Sequence, residues 1–150
     1  MDELLKDIVL FSGLTDKELG RIEQVMTIKT FPKNSMIVLE EEYGDTVYIV
    51  RKGTIKITRL NDAGKEVILS LMGAGEFFGE LSALDGEARS ANALAQEECQ
   101  LYLLHRTDFI DLLQHNNKIA FTLLSELAKR IRHSDQQIEA LSLDDAEHRI

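Results

Sequence analysis

The residues best suited to chemistry fall within one short stretch, Phe77–Ala91. Gly79 lets the backbone approach a ligand, and the segment Glu80–Leu84 can form one helical turn whose N–H groups suit an anion. Arg89 follows with a planar guanidinium that binds two phosphate oxygens at once. An ionised Glu80 can accept hydrogen bonds but cannot donate them, so it suits a sugar hydroxyl rather than the phosphate. Together these residues predict a pocket for a ribose phosphate.

The same spacing also fits a purely structural interpretation. Glu80 and Arg89 can close a turn as an ion pair at the surface, a contact that contributes about 0–1 kcal/mol to stability. The residue types and their spacing leave both interpretations open.

Helical periodicity precedes this stretch. Apolar residues recur at spacings of three and four from Leu4 to Phe11, and Gly13 then breaks the pattern. Thr15 and Glu18 form a capping box at the start of a second amphipathic segment. We therefore expect a lead-in of two short helices over residues 1–26.

Residues 27–104 change to a period of two, in segments rich in β-branched and aromatic residues that glycine-containing turns separate. Many short strands without crossover helices are typical of an antiparallel sandwich or jelly-roll barrel. The predicted fold class is mainly β with flanking helices.

A long helix is predicted for residues 116–142. Its apolar stripe steps by 3, 4, 3, 4 and 3 residues, as in a coiled-coil seam, and one member is polar. The stripe consists of Leu124, Leu127, Ile131, Ser134, Ile138 and Leu141. A lone helix can lay such a stripe on its own barrel, but a polar seam residue favours a parallel pair and thus a homodimer.

The motifs together resemble a known family. Phe78-Gly79-Glu80-Leu81 followed by Arg89-Ser90-Ala91 is similar to the phosphate-binding cassette of cyclic-nucleotide-binding domains. The surrounding Gly44-Asp45, Lys52-Gly53 and Gly64-Lys65 extend the resemblance to the effector domain of the Crp/Fnr (catabolite activator) family of bacterial transcription regulators.

The resemblance implies a double-stranded β-helix, or jelly roll, as a sensor domain over residues 1–115, with residues 116–142 as the dimerisation helix. Residues 143–150 would be the hinge into a helix-turn-helix domain that this chain lacks, so we expect the chain to be part of a longer regulator.

The resemblance also implies roles for individual residues. Glu80 would accept the ribose 2′-OH, while Gly79 and the Leu81–Ser82 backbone would face the cyclic phosphate. Arg89 and Ser90 would bind its exocyclic oxygens. On the long helix the resemblance implies that Arg130 contacts the cassette glutamate and that Ser134 and the partner subunit's Asp135 reach the purine.

Two positions depart from the family pattern. Asp135 replaces a hydroxyl residue, and its carboxylate suits any purine edge with an amino group, which adenine and guanine both have. Glu41 stands where the family usually has glycine, within a loop Glu40–Glu42 that we expect to be solvated.

Composition bounds the remaining function classes. The 150 residues suit one domain, and 17 Lys and Arg against 26 Asp and Glu leave a net charge of −9 that disfavours binding to phosphate backbones. We therefore expect DNA binding only through a domain outside this chain. Lone Cys99 excludes an intramolecular disulfide and is expected to be inert. The N-terminal residues are acidic, and no apolar segment reaches about 18 residues. These features predict a cytoplasmic protein without a membrane anchor.

The expected effector is cyclic AMP or cyclic GMP, with no required cofactor, no metal and no catalytic residue. One alternative is the same fold with a different effector or a vestigial pocket. Another alternative is a metal-dependent jelly-roll enzyme. It is less favoured, because the chain has no closely spaced pair of strand histidines to bind a metal.

Overall fold

The computed structural model describes the backbone of residues 1–148 and the side chains of residues 1–134. The side chains of Asp135, Ile138 and Leu141, to which the sequence assigns roles, lie outside the described residues. The end of the predicted hinge 143–150 also lies outside them.

The lead-in contains 3₁₀ turns at Glu3–Asp7 and Val9–Phe11, followed by helix α1, Asp16–Glu23. The capping box is confirmed, since the Thr15 hydroxyl accepts from the Glu18 N–H at 3.2 Å and the Glu18 carboxylate accepts from the Thr15 N–H at 3.0 Å. The first predicted helix is instead split at Ile8. The Ile8 backbone is extended and its side chain is fully buried, so packing against the core overrides the helical period.

Within the described residues, eight strands form two four-stranded antiparallel sheets, as predicted for a jelly roll. The sheet orders are β1-β8-β3-β6 and β2-β7-β4-β5. The strands are β1 Met26–Phe31, β2 Met36–Val38, β3 Thr46–Lys52, β4 Ile55–Leu60, β5 Glu66–Met72, β6 Phe77–Phe78, β7 Asn92–Ala95 and β8 Cys99–His105.

Helices connect and flank the sheets. Helix α2, Glu80–Asp85, lies between β6 and β7, and α3, Arg106–His115, follows β8. The His105 ring accepts from the Thr107 N–H at 3.2 Å and so caps the start of α3. Helix α4, Asn117–His148, follows the extended residue Asn116.

The core has two parts that meet at β6. One part lies between the first sheet and the helices and contains Phe77, and the other lies between the two sheets and contains Phe78. Adjacent strand residues point to opposite faces, so the two rings hold β6 from both sides. This arrangement fixes the position at which the chain enters Gly79.

Helix α4 packs one face on this core. Ile119 and Leu123 are buried, and Leu127 packs partly against the same core. Leu124 and Ile131 remain 65% and 62% exposed. Leu127 of the predicted seam is thus partly covered by the core of its own chain, and pairing through the seam stays a prediction.

No helix among the described residues is both long enough and apolar enough to cross a bilayer.

Candidate ligand-binding site

A cavity of about 130 Å³ lies between the second sheet, α2 and α4. Its apolar wall comes from strand residues Val38, Ile57 and Met72, together with Phe78. The structure brings seven of the predicted site residues to this cavity: Gly79, Glu80, Leu81, Ser82, Arg89, Ser90 and Arg130. The cassette and the long helix therefore contribute to one pocket.

Arg89 is buried, and its guanidinium is held by backbone oxygens. Its Nη1 donates to the Gly79 carbonyl at 2.9 Å and its Nη2 donates to the Thr46 carbonyl at 2.9 Å. A guanidinium has five N–H donors, so two such bonds orient the group and leave donors for an anion. Arg89 is thus preorganised for the phosphate that the sequence predicts.

Two glycines make this position of Arg89 possible. A Cβ at Gly44 would lie 2.5 Å from Nη2, and a Cβ at Gly79 would lie 2.7 Å from Nη1. Gly79 also has a φ of +84°, which places it in the left-handed region that favours glycine. The guanidinium therefore lies where these two positions have no side chain.

Glu80 is buried at the start of α2 and pairs with the long helix. Its Oε1 lies 2.6 Å from Arg130 Nη1, and Arg130 Nη2 donates to the Phe77 carbonyl at 2.8 Å. Arg130 also stacks over the Phe77 ring at 4.3 Å. Burial raises the pKa of Glu80, and the nearby charges of Arg130 and Arg89 offset part of that rise.

These contacts decide between the two interpretations of the Glu80–Arg89 spacing. Among the ion pairs of the described residues, Glu80 pairs with Arg130 and not with Arg89. Both cassette side chains are nearly inaccessible to solvent. The interpretation of Glu80 and Arg89 as a surface ion pair is therefore wrong. The contact between Arg130 and Glu80 that the resemblance implied is present.

In the loop Glu40–Glu42, Glu41 and Glu42 are exposed, as expected, whereas Glu40 is partly covered and the backbone is bonded to the cassette. The Glu41 N–H donates to the Arg89 carbonyl at 2.9 Å, and the Arg89 N–H donates to the Glu42 carbonyl at 2.8 Å. Glu40 pairs with Arg59 at 3.2 Å. These backbone hydrogen bonds hold the loop along the cassette. Composition cannot reveal such bonds, because they do not depend on the side chains.

Sequence reasoning missed Arg59 and the Thr46 carbonyl. Arg59 lies in an alternating strand and carries no motif, so the sequence holds no signal for it. Gly44 was part of the quoted resemblance, but its effect on Arg89 depends on a contact between distant segments.

Other predicted residues lie away from the cavity or outside the description. Ser134 is exposed on α4 and does not line the cavity. His105 pairs with Asp45 at 3.0 Å, and the described residues hold no cluster of metal-ligating side chains. Cys99 is buried, and burial raises the pKa of its thiol, which agrees with an inert cysteine.

Comparisons with known proteins agree with this geometry. The family described as "Cyclic nucleotide-binding domain" matches residues 28–116. The cyclic AMP receptor protein of Thermus thermophilus is 33% identical over 146 residues, which are 97% of this chain and 68% of that protein. The cAMP-activated global transcriptional regulator CRP of Haemophilus influenzae is 33% identical over 121 residues, which are 80% of this chain and 54% of that protein.

A solved structure shows the same arrangement of elements. The crystal structure of Thermus thermophilus catabolite activator protein matches with a TM-score of 0.83 and 34% identity, over 89% of this chain and 63% of that chain. The chain thus spans about half to two thirds of the length of these relatives. The family match contains the whole cassette from Gly79 to Ser90 and more than half of the chain. This chain therefore belongs to the cyclic nucleotide-binding domain family, among the CRP-like (catabolite activator) transcription regulators.

Proposed function

We propose that this chain is the effector-binding and dimerisation part of a cytoplasmic transcription regulator and that it is not an enzyme. Its effector is a cyclic nucleotide, cyclic AMP or cyclic GMP. The observation that carries the proposal is the convergence of buried Glu80, buried Arg89 and helix residue Arg130 on one cavity. A carboxylate for a sugar hydroxyl beside a guanidinium for a phosphate matches the two polar ends of such a ligand.

The position of Arg130 supports transmission of the signal through α4. This residue lies on α4 and contacts both Glu80 and the backbone of Phe77. A ligand on Glu80 changes the interactions of Arg130 and so favours one orientation of α4 over another. In a homodimer paired through α4, that orientation sets the geometry of a helix-turn-helix domain C-terminal to it, and DNA binds through that domain.

Calorimetric titration of the 150-residue chain with cyclic AMP and cyclic GMP tests the proposal. We expect saturable binding that Arg89→Ala weakens by about 2–5 kcal/mol, because the phosphate loses its charged partner. Arg89→Lys keeps the charge but not the planar guanidinium, so we expect its affinity to lie between those of the wild-type chain and Arg89→Ala. Arg21→Ala, an exposed arginine on α1, is the control.

A second candidate, a sensor of another effector or a vestigial pocket in the same fold, has one observation in its favour. Arg89 donates to two carbonyls and Glu80 pairs with Arg130, so each of these two side chains already has a protein partner without any ligand. A thermal melt against a panel of cyclic nucleotides, other phosphates and carboxylates separates the candidates. No saturable binding of either cyclic nucleotide at millimolar concentration, with a shift for another anion, would favour the second candidate.

A further inference from the structure

Arg59 on β4 joins two segments that flank the anion site. Its Nε lies 3.2 Å from Glu40 Oε1, and its Nη2 donates to the Ser90 carbonyl at 2.9 Å. One planar guanidinium thus holds the side chain of one segment and the backbone of the other. Arg59 does not line the cavity.

The two segments are also joined directly. The N–H of Glu41 and the carbonyl of Glu42 both bond to the Arg89 backbone, at 2.9 and 2.8 Å. The Glu40 N–H donates to Asn92 Oδ1 at 2.7 Å. The loop Glu40–Glu42 therefore runs beside the cassette and is hydrogen-bonded to Arg89 and Asn92, on either side of Ser90.

The charge of Glu40 matters because it belongs to a run of three acidic residues beside an anion site. A carboxylate near bound phosphate repels it, and partial burial limits the screening by solvent. The Glu40 side chain is only 25% exposed and is paired with Arg59. The ion pair thus removes a repulsive charge while the same arginine holds the Ser90 backbone.

We propose that Arg59 and Glu40 are positioning residues of the anion site, acting through the Ser90 carbonyl and the loop rather than by touching the ligand. The inference rests on the proposed function, since it concerns affinity for a ligand phosphate. Arg59 is half exposed, so its pair contributes little to global stability. Loss of affinity can therefore be separated from unfolding.

Titration of the full chain with cyclic AMP tests the inference. We expect Arg59→Ala to weaken binding by about tenfold with an unchanged midpoint of urea denaturation, as for the loss of contacts that hold a binding residue. Adding Glu40→Gln to Arg59→Ala should recover part of the loss, because the unpaired carboxylate is gone. Arg59→Lys should recover part as well, since it keeps the charge but cannot bridge both acceptors.

Lys56→Ala is the matched control, because Lys56 lies on the same strand and pairs with Glu66 at 2.8 Å within the β4–β5 hairpin. A second readout needs no ligand. Amide hydrogen exchange at Glu41 and Arg89 should accelerate in Arg59→Ala and not in Lys56→Ala.

The outcomes separate this inference from the proposed function. Normal affinity and normal amide exchange in Arg59→Ala, with binding lost in Arg89→Ala, overturn the role of Arg59 and leave the function standing. If the wild-type chain binds no cyclic nucleotide, the proposed function falls, and unchanged exchange would then overturn the positioning role as well.

Discussion

Glu41 adopts a backbone conformation that glutamate disfavours. Its φ is +70°, in the left-handed region, at the position where the resemblance implied glycine. The conformation directs the Glu41 N–H toward the Arg89 carbonyl, so the bonds between loop and cassette depend on it. A residue with a Cβ there carries a conformational cost that the contacts must offset.

Replacing Glu41 with glycine should therefore stabilise the protein. We expect Glu41→Gly to raise the free energy of unfolding by about 0.5–1 kcal/mol, because glycine adopts positive φ without steric cost. Urea denaturation measures the change. Glu42→Gly, at an ordinary φ, is the control and should destabilise slightly through added flexibility of the unfolded chain. Equal destabilisation by both variants would contradict the strain at Glu41.

The N-terminal segment is a bonded part of the β-roll. Asp2 accepts from the Tyr102 hydroxyl on β8 at 2.6 Å and from Arg51 Nε on β3 at 2.8 Å. It also caps the first 3₁₀ turn by accepting from the Leu4 N–H at 3.0 Å. The hydrogen bond from Arg51, chiefly, lowers the pKa of Asp2 to about 2. The same neighbourhood raises the pKa of Tyr102, first through burial and then through Asp2.

These contacts of Asp2 make the stability of the fold depend on pH in a definite direction. A carboxyl whose pKa is lowered on folding stabilises the protein above its ordinary pKa of 3.8, and that contribution is lost as the pH falls toward 2. Asp2→Asn should cost about 1–2 kcal/mol at pH 7 and flatten the fall in stability between about pH 4 and 2.

Urea denaturation as a function of pH measures this effect. Asp62→Asn, at an exposed position in the turn between β4 and β5, is the control and should keep the wild-type pH profile. A profile for Asp2→Asn that parallels the wild type from pH 7 to 2 would show that the Asp2 contacts do not form in solution.

At the scale of the whole molecule, the described part of α4 has two different faces. One face packs on the core and brings Arg130 to the pocket, while another leaves Phe121, Leu124 and Ile131 at 72%, 65% and 62% exposure. Large apolar side chains exposed along one stripe are typical of a surface that a partner covers. We propose that a second copy of the chain covers this stripe, which includes Phe121 although the predicted seam did not.

A charged residue introduced into this stripe should prevent two copies of the chain from associating. We expect Ile131→Glu to convert a dimer to a monomer at tens of micromolar protein, because a paired helix would have to bury the carboxylate. Analytical ultracentrifugation measures the mass. Lys129→Glu is the control, since residues two apart on a helix do not face each other. A wild-type monomer, or an Ile131→Glu dimer, would contradict pairing through this stripe.

Much of the fold was accessible from the sequence because local patterns encode it. Period-two segments between turn signals predicted the strands, and the capping box located α1. The split at Ile8 was not predictable, because packing against distant residues outweighs local periodicity there. Arg59 had no signal at all, since its partners come from other parts of the chain.

The sequence by itself determined the family, the cassette and the residue types that suit a sugar hydroxyl and a phosphate. Those properties depend on residue identity and short spacing, which are complete in the sequence. The tertiary structure alone decided that Arg130 also bonds the Phe77 carbonyl, that the distant Thr46 carbonyl helps to orient Arg89, and that Glu40–Glu42 lies along the cassette. Each of these contacts joins residues far apart in the chain, so its existence depends on how the sheets and α4 pack.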